Sequence, residues 1–547
     1  MKKKVLVGLA FALGLVSLSS CDLSTKTVKD DLGNTFIEKQ YSFKNYSDEF
    51  KCGAAKIDTY FKSDNKYVAY VDLEQFLNST SSIFDNKRLE FKDDKALGKY
   101  ILSVDGIDNV FDYKNQKIEY ETFDCMVELQ ETDYSYCLET EYEYDEEKEY
   151  KVNLDLSKYD IELFHKDNKL LIEFDLLNLL LCTENLYVTV FNGSGYFGDF
   201  YFLSDELQDD AYTQKLKETP IPSELKVQDG KYLSLVMENY YGLYDYKNLD
   251  KNEQTKNIRK TLEEAKNSKY AQTVFDYFNT LDDCHTGMAT YPLYYGGFIS
   301  YATYGEITEK VYGADDILTA AKEEAEITDY DFNIVGNTAF ISFDEFETNS
   351  DFDLDNIDIN GEYTDTFIFI YTCLMKARQN GAIDNIVFDI STNGGGNIGA
   401  LLRIFGFLTN DDILIYEEVT NSGFEAVSKV KVDANLDGDF TDDDAFTEFK
   451  YYILTSESSF SCANAFPTIA KAQNMATIIG QKSSGGMCSV MTYVLPSGIF
   501  FQSSSANREY TYMNGNKYYL EGGAPVDIEI SYDKFYDFEY IANKLNK

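Results

Sequence analysis

Three short segments of this 547-residue chain hold side chains whose types could share one reaction. Ser461 follows a strand-like run at 451–455 and a polar turn at 456–460, and it opens a helix-like stretch at 462–472. A serine on a tight strand-to-helix turn can aim its hydroxyl into a crevice, with the next backbone N–H placed to receive an oxyanion. The same position also suits a helix N-cap, for which serine is among the best residues. A base separates the two readings, because a serine hydroxyl is a weak nucleophile unaided. The chain has two histidines. His285 lies in Leu281-Asp282-Asp283-Cys284-His285-Thr286-Gly287, a loop after an amphipathic stretch at 253–278, where functional groups tend to sit. His165 lies at a strand end running into a turn, where a solvated or partly packed ring is expected. The third segment, 386–396, is a β-branched and aromatic run that stops at Gly394-Gly395-Gly396 before an apolar helix pattern at 398–408. Glycines there let backbone N–H groups approach a ligand. Gly394 to Gly399 also satisfies GxGxxG, and Glu417 ends a later strand-like run, so a dinucleotide site is a competing outline.

Taken in order, these segments resemble the C-terminal-processing (tail-specific) serine peptidases. Members carry a Leu-x-Asp-x-His-Thr segment, a strand ending in Asp-x-Arg-x-Asn-x-Gly-Gly, and a later strand, turn and helix bearing the serine. Here Ser391 and Thr392 replace the usual Arg and its neighbour, and 333–346 is similar to the family's Gly-Tyr-Ile-x-Ile strand. The resemblance runs from Gln228 to the C-terminus. One branch of the family uses a Ser–Lys dyad, with the lysine in a Gly-Lys-Gly turn. In this chain Gly486 stands at that position and Lys482 falls four residues early. The Ser-His-Glu branch, tricorn-like and chlamydial secreted protease-like, fits better. The run 460–467 looks closer to the chlamydial type, and Glu521 lies in a segment, 519–528, similar to that branch's Glu-x-x-Gly-x-x-Pro-Asp ending.

The resemblance implies an α/β fold, a crotonase/ClpP-like core of ββα units with a β-rich N-terminal accessory domain. It implies an endopeptidase in which Ser461 attacks a peptide carbonyl and His285 takes and returns the proton. Glu521 would orient the imidazole, directly or through a water, and the oxyanion would be received by the N–H groups of Cys462, Gly395 and Gly396. The Cys462 thiol is expected to be a small buried hydrophobe facing away from the serine. No cofactor is implied for catalysis, and the substrate would be a protein or peptide. The alternative is a catalytically inactive ligand- or peptide-binding lipoprotein of the same fold; keeping Ser461, His285 and Glu521 together argues against it.

The elements that must position these groups fall into two regions. Short alternating or β-branched runs separated by turn clusters make 35–222 a β-rich accessory domain. Strands and helices then alternate through 223–547, the peptidase domain, which includes a helical segment at 253–280. Pro220 and Pro222 mark the boundary. Too few residues separate Gly287 from Asn333 for an inserted PDZ domain. The start of the chain, a basic Met1-Lys2-Lys3-Lys4, an apolar run at 5–16 and Leu18-Ser19-Ser20-Cys21, reads as an export signal at 1–20. Cys21 resembles the lipidated cysteine of a bacterial lipobox, and 21–34 would be a tether. The expected location is extracytoplasmic, lipid-anchored to the bacterial cell membrane, with the lipid as the sole membrane contact. That location argues against a nicotinamide enzyme. A net charge of −45, from 49 basic and 94 acidic residues, excludes nucleic acid as a partner. The acidic run at 139–149 is expected to be a solvated loop or edge strand. Nine cysteines show no CxxC spacing, which argues against zinc, and Cys125 with Cys137 could bridge a hairpin.

One further motif precedes the serine. In 433–444, oxygen-bearing residues stand at positions 1, 3, 5, 7, 9 and 12 as Asp433, Asn435, Asp437, Asp439, Thr441 and Asp444, with Gly438 at position 6. That is the spacing of a calcium loop, so a structural calcium is expected here, although the flanks do not read as the paired helices of an EF-hand.

Overall fold

The computed structural model describes residues 25–121, 126–129, 137–349, 354–441 and 443–546. The expected export signal, Cys21 and Cys125 lie outside these residues; Cys137 carries a free thiol. No helix among the described residues is long and apolar enough to cross a membrane.

The first half is β-rich, as expected. An eight-stranded sheet runs in the order Phe164–Lys166, Lys169–Glu173, Asn65–Asp72, Ala55–Lys62, Thr35–Asn45, Tyr196–Phe200, Tyr187–Phe191, with Lys26–Lys29 paired onto Thr35–Asn45. That last pairing corrects the expectation of a free tether over 21–34: Val28 is a buried member of the sheet. A five-stranded antiparallel sheet, Leu89–Asp94 to Lys151–Asp155, lies beside it. His165 joins the two, and its burial corrects the expectation of a solvated or partly packed ring. It is buried, stacked on Tyr113 at 4.7 Å, and its Nδ1 and Nε2 pair with Asp31 (2.7 Å) and Asp93 (2.9 Å).

The second half contains a six-stranded sheet in the order Tyr330–Val335, Thr338–Phe343, Asn385–Asp389, Lys450–Thr455, Thr477–Gly480, Ile528–Glu529. The first pair is antiparallel and the others are parallel. Its central strands are continuous apolar runs because both faces are covered; Thr338–Phe343 and Asn385–Asp389 are buried at every position. Helices Thr366–Asn380 and Cys462–Ala472 make the crossovers. Phe466 packs the second helix on the sheet through Phe388 (5.7 Å) and on helix Ile398–Phe405 through Phe405 (5.3 Å). The carboxyl ends of successive parallel strands run into Asp344, the Ser391–Gly396 loop, the Ser461 turn and the Gly485-Gly486 loop. In an open parallel sheet that edge is where ligands bind.

A seven-stranded antiparallel sheet flanks this core, in the order Gly287–Met288, Phe500–Met513, Ile413–Val419, Phe424–Val432, Leu138–Tyr144, with Cys488–Val494 and Asn516–Tyr519 also paired onto Phe500–Met513. The acidic run is thus an edge strand up to Tyr144 and a turn beyond it. It also crosses the expected division at 222/223, because residues 138–144 pair with 426–432. Alternation explains the fit: Phe424–Val432 alternates buried and partly exposed positions, so it accepts a solvent-facing neighbour on its free side.

Candidate active site

Ser461 is the N-cap of helix Cys462–Ala472, yet its side chain makes no capping bond. It has φ 57° and ψ −125°, a region in which non-glycine residues are strained, and such outliers cluster at functional sites. Backbone bonds on both sides hold the turn: Ser461 N–H donates to Gly485 O at 2.9 Å, and Ser461 O accepts from Asn464 (2.9 Å) and Ala465 (2.8 Å). Two glycines close around it. A Cβ on Gly395, which has φ 120°, would stand 2.7 Å from Ser461 Cβ and 3.1 Å from Oγ. A Cβ on Gly486, at φ 91°, would stand 2.8 Å from Ser461 N and 2.9 Å from Phe460 Cζ. Gly486 therefore cannot be exchanged for the lysine of a Ser–Lys dyad without moving the serine. Lys482 is exposed.

His285 is buried, and its ring packs edge-on against Phe460 at 4.6 Å, the residue preceding the serine. Its backbone N–H donates to Asp283 Oδ1 (3.1 Å), whose Oδ2 accepts from Thr286 Oγ1 (2.6 Å). Burial pulls the imidazole below its ordinary pKa, and the Asp283 charge partly opposes this. The ring is therefore neutral at neutral pH, the form a general base requires. Nδ1 is buried without a hydrogen-bond partner among the described residues.

Glu521 lies across the same loop cluster. Its Oε2 accepts from Gly486 N–H (2.9 Å) and Met487 N–H (3.1 Å), and no hydrogen bond joins it to His285 among the described residues. Burial raises its pKa, the Asp283 charge adds to this, and the two backbone donors and Lys247 oppose it. Asn464, in the serine's helix, fixes the glutamate loop by donating to Leu520 O (2.9 Å). Asn464 Oδ1 also accepts from Ser483 Oγ (2.7 Å), which in turn accepts from Ala524 N–H (2.8 Å). The candidate nucleophile and the candidate carboxylate thus share one hydrogen-bonded frame.

Of the three expected oxyanion donors, Gly395 has its N–H engaged, donating to Asn393 Oδ1 at 2.8 Å. That corrects its expected role: it packs against the serine instead of donating. Gly396 and Cys462 remain. The Cys462 thiol donates to Gly396 O at 3.2 Å, and burial raises its pKa strongly, so it is no nucleophile. Asp283, Phe460 and Asn393 were not singled out from sequence. The signal for Asp283 is its place two residues before a histidine and three before a threonine, where one carboxylate can tie both.

In the 433–444 loop the carboxylates of Asp433, Asp437 and Asp444 come together, with ligand oxygens all within 4.8 Å of one another. Asn435 Oδ1 accepts from Asp437 N–H (2.9 Å) and Thr441 Oγ1 from Asp443 N–H (3.3 Å), while Asp439 stands outside the carboxylate group.

Residues 369–530 match the model of peptidase family S41. This segment, which holds Ser461 and Glu521 but not His285, is of the S41 serine-peptidase type, and peptidases of that type act on proteins or peptides. No curated protein matches the chain. Among solved structures, a peptidase from Parabacteroides merdae is 15% identical, covers 56% of this chain and 89% of its own, and has TM-score 0.37. Mature CPAF bound to lactacystin is 12% identical, covering 59% and 97%, with TM-score 0.38. A lipoprotein from Streptococcus agalactiae is 13% identical, covering 58% and 96%, with TM-score 0.36. Likenesses of this degree carry no functional argument.

Proposed function

We propose that this serine peptidase is an exported endopeptidase, lipid-anchored through Cys21, that cuts peptide bonds with Ser461, His285 and Glu521. The observation that carries the reading is the strained, uncapped Ser461 between Gly395 and Gly486, with the neutral His285 packed on the adjacent Phe460. Ser461 Oγ adds to the scissile carbonyl carbon as its proton passes to His285. The oxyanion accepts from Cys462 N–H and Gly396 N–H. His285 then protonates the leaving amine, and water, deprotonated by the same imidazole, releases the acyl group from Oγ.

Glu521 reaches the histidine through a water or after substrate has drawn the loops together, since catalytic hydrogen bonds often tighten only with substrate bound. The unpartnered Nδ1 and the commitment of Glu521 to two backbone donors favour a second reading, a binding protein with a disarmed site. A fluorophosphonate probe separates the two. Labelling of the parent and none of Ser461→Ala supports the peptidase; absence of labelling in the parent refutes it. Anchoring is tested apart from this by Cys21→Ala, which should move the protein from the membrane fraction to the soluble one.

A further inference from the structure

The 433–444 loop holds a feature that its own residues leave unresolved. Asp444 is 4% exposed, and its Oδ1 is buried with no hydrogen-bond partner among the described residues, while its carboxylate lies beside those of Asp433 and Asp437. A buried carboxylate oxygen without a donor is costly, and two further carboxylates beside it raise the cost. No Lys or Arg forms an ion pair with any of the three among the described residues. The spacing admits a single bound cation. Oxygens that bind calcium at about 2.4 Å lie no more than about 4.8 Å apart across the ion, and these three lie within 4.8 Å of one another. The loop offers six Asp side chains, an Asn and a Thr but no His or Cys, which selects hard cations. Magnesium demands a near-ideal octahedron, whereas calcium accepts the looser cage of a loop.

What the loop connects gives the site a consequence. It leaves strand Phe424–Val432, whose last residue pairs with Leu138, and Asp433 N–H donates to Cys137 O at 3.1 Å. Its far end is fixed where Ala445 N–H donates to Asn410 Oδ1 (2.7 Å) and Phe446 N–H to Phe407 O (3.0 Å). The chain then enters Lys450–Thr455, the strand that leads to Ser461. Asp433 and Asp444 are thus the two anchored ends of one loop, and drawing them onto a common ion fixes the end of the 138–144 pairing.

We propose that the loop binds one calcium ion through Asp433, Asn435, Asp437 and Asp444, and that the loaded loop fastens strand Leu138–Tyr144 to the peptidase sheet. This does not depend on the catalytic reading. Calcium chloride and magnesium chloride are titrated calorimetrically into the full chain. Melting temperature and amide exchange at 138–144 are followed with EGTA and with about 5 mM of either ion, a level that would fill a site of the weak extracellular class. One calcium should bind, raising the melting temperature by about 1–3 °C and slowing exchange at 138–144 at least about fivefold. Magnesium should do neither. Asp437→Ala, at an exposed position, should abolish all three responses, while Asp439→Ala, outside the carboxylate group, should keep them. Absence of calcium heat and of a melting shift overturns the proposal. So does binding that leaves exchange at 138–144 unchanged, or equal loss in the two variants, which would mean diffuse charge screening.

Discussion

Replacing Gly395 by alanine tests the placement of Ser461 more directly than replacing the serine itself. The added Cβ would stand 2.7 Å from Ser461 Cβ at a backbone φ of 120°. Ordinary carbon contact begins near about 3.5 Å, so roughly 0.8 Å must be absorbed. Little around the serine can absorb it. Ser461 N–H is tied to Gly485 O, Gly486 fills the space on the other side, and Gly395 O accepts from Phe346 N–H at 2.9 Å. The strained backbone costs about 1–3 kcal/mol in addition. Displacing a nucleophile by about 1 Å can cost about 100-fold in rate, so labelling by a fluorophosphonate should slow about 30- to 100-fold. Gly394→Ala is the control, because a Cβ there meets nothing within 4 Å and φ is not in the left-handed region. Second-order labelling rates, with melting temperatures measured in parallel, make the comparison. Parent-like labelling of a folded Gly395→Ala variant, or an equal loss in Gly394→Ala, would refute the reasoning.

His285→Ala should lose at least about a thousandfold in peptide hydrolysis, as triad members elsewhere do, while Lys482→Ala stays within about tenfold; the reverse order would restore a Ser–Lys mechanism. Because burial lowers the His285 pKa, the acid limb of kcat/KM should lie below pH 6.5, and an inflection above pH 7 would contradict a neutral buried base. Stability should respond to pH through Glu173, which accepts from Gln228 across the two halves, and Asp229, which accepts from Tyr270 and from Ser497 N–H; burial pushes both carboxyls up to about 7. Both are protonated in the folded state and ionised in the unfolded one between about pH 4 and 7. Their contribution is therefore fully present below about pH 4 and is lost as pH rises through 7, and the Glu173→Gln/Asp229→Asn pair should flatten that fall in melting temperature relative to the parent. A parent and variant with parallel curves would show that neither group titrates in this range.

Much of the site could be read from residue types because its parts are local. The serine turn, the glycine loop and the histidine loop each sit at an element boundary that punctuates the sequence, and the oxygen-bearing spacing of 433–444 is contiguous. What escaped notice depends on partners far away in the chain. Nothing around His165 reveals that Asp31 and Asp93 will bracket it. Nothing in 138–144 names its partner at 426–432, since an alternating acidic strand fits many edges. Gly395 shows the same limit on a smaller scale. Its type marks a close backbone approach, but only the fold reveals that its N–H turns to Asn393 and its Cα faces the serine.

The strand at 138–144 also bears on how the protein can be divided. A fragment starting at the proline boundary would retain every candidate catalytic residue and lose that strand. Phe424–Val432 would then present an open edge with Phe424, Ala426, Val430 and Val432 along it. Such an edge is a template for pairing with another copy. The peptidase half made alone should self-associate, and a fusion that supplies residues 138–144 should cure it. A chimera joined at the proline boundary to a different first half would expose the same edge and should aggregate likewise.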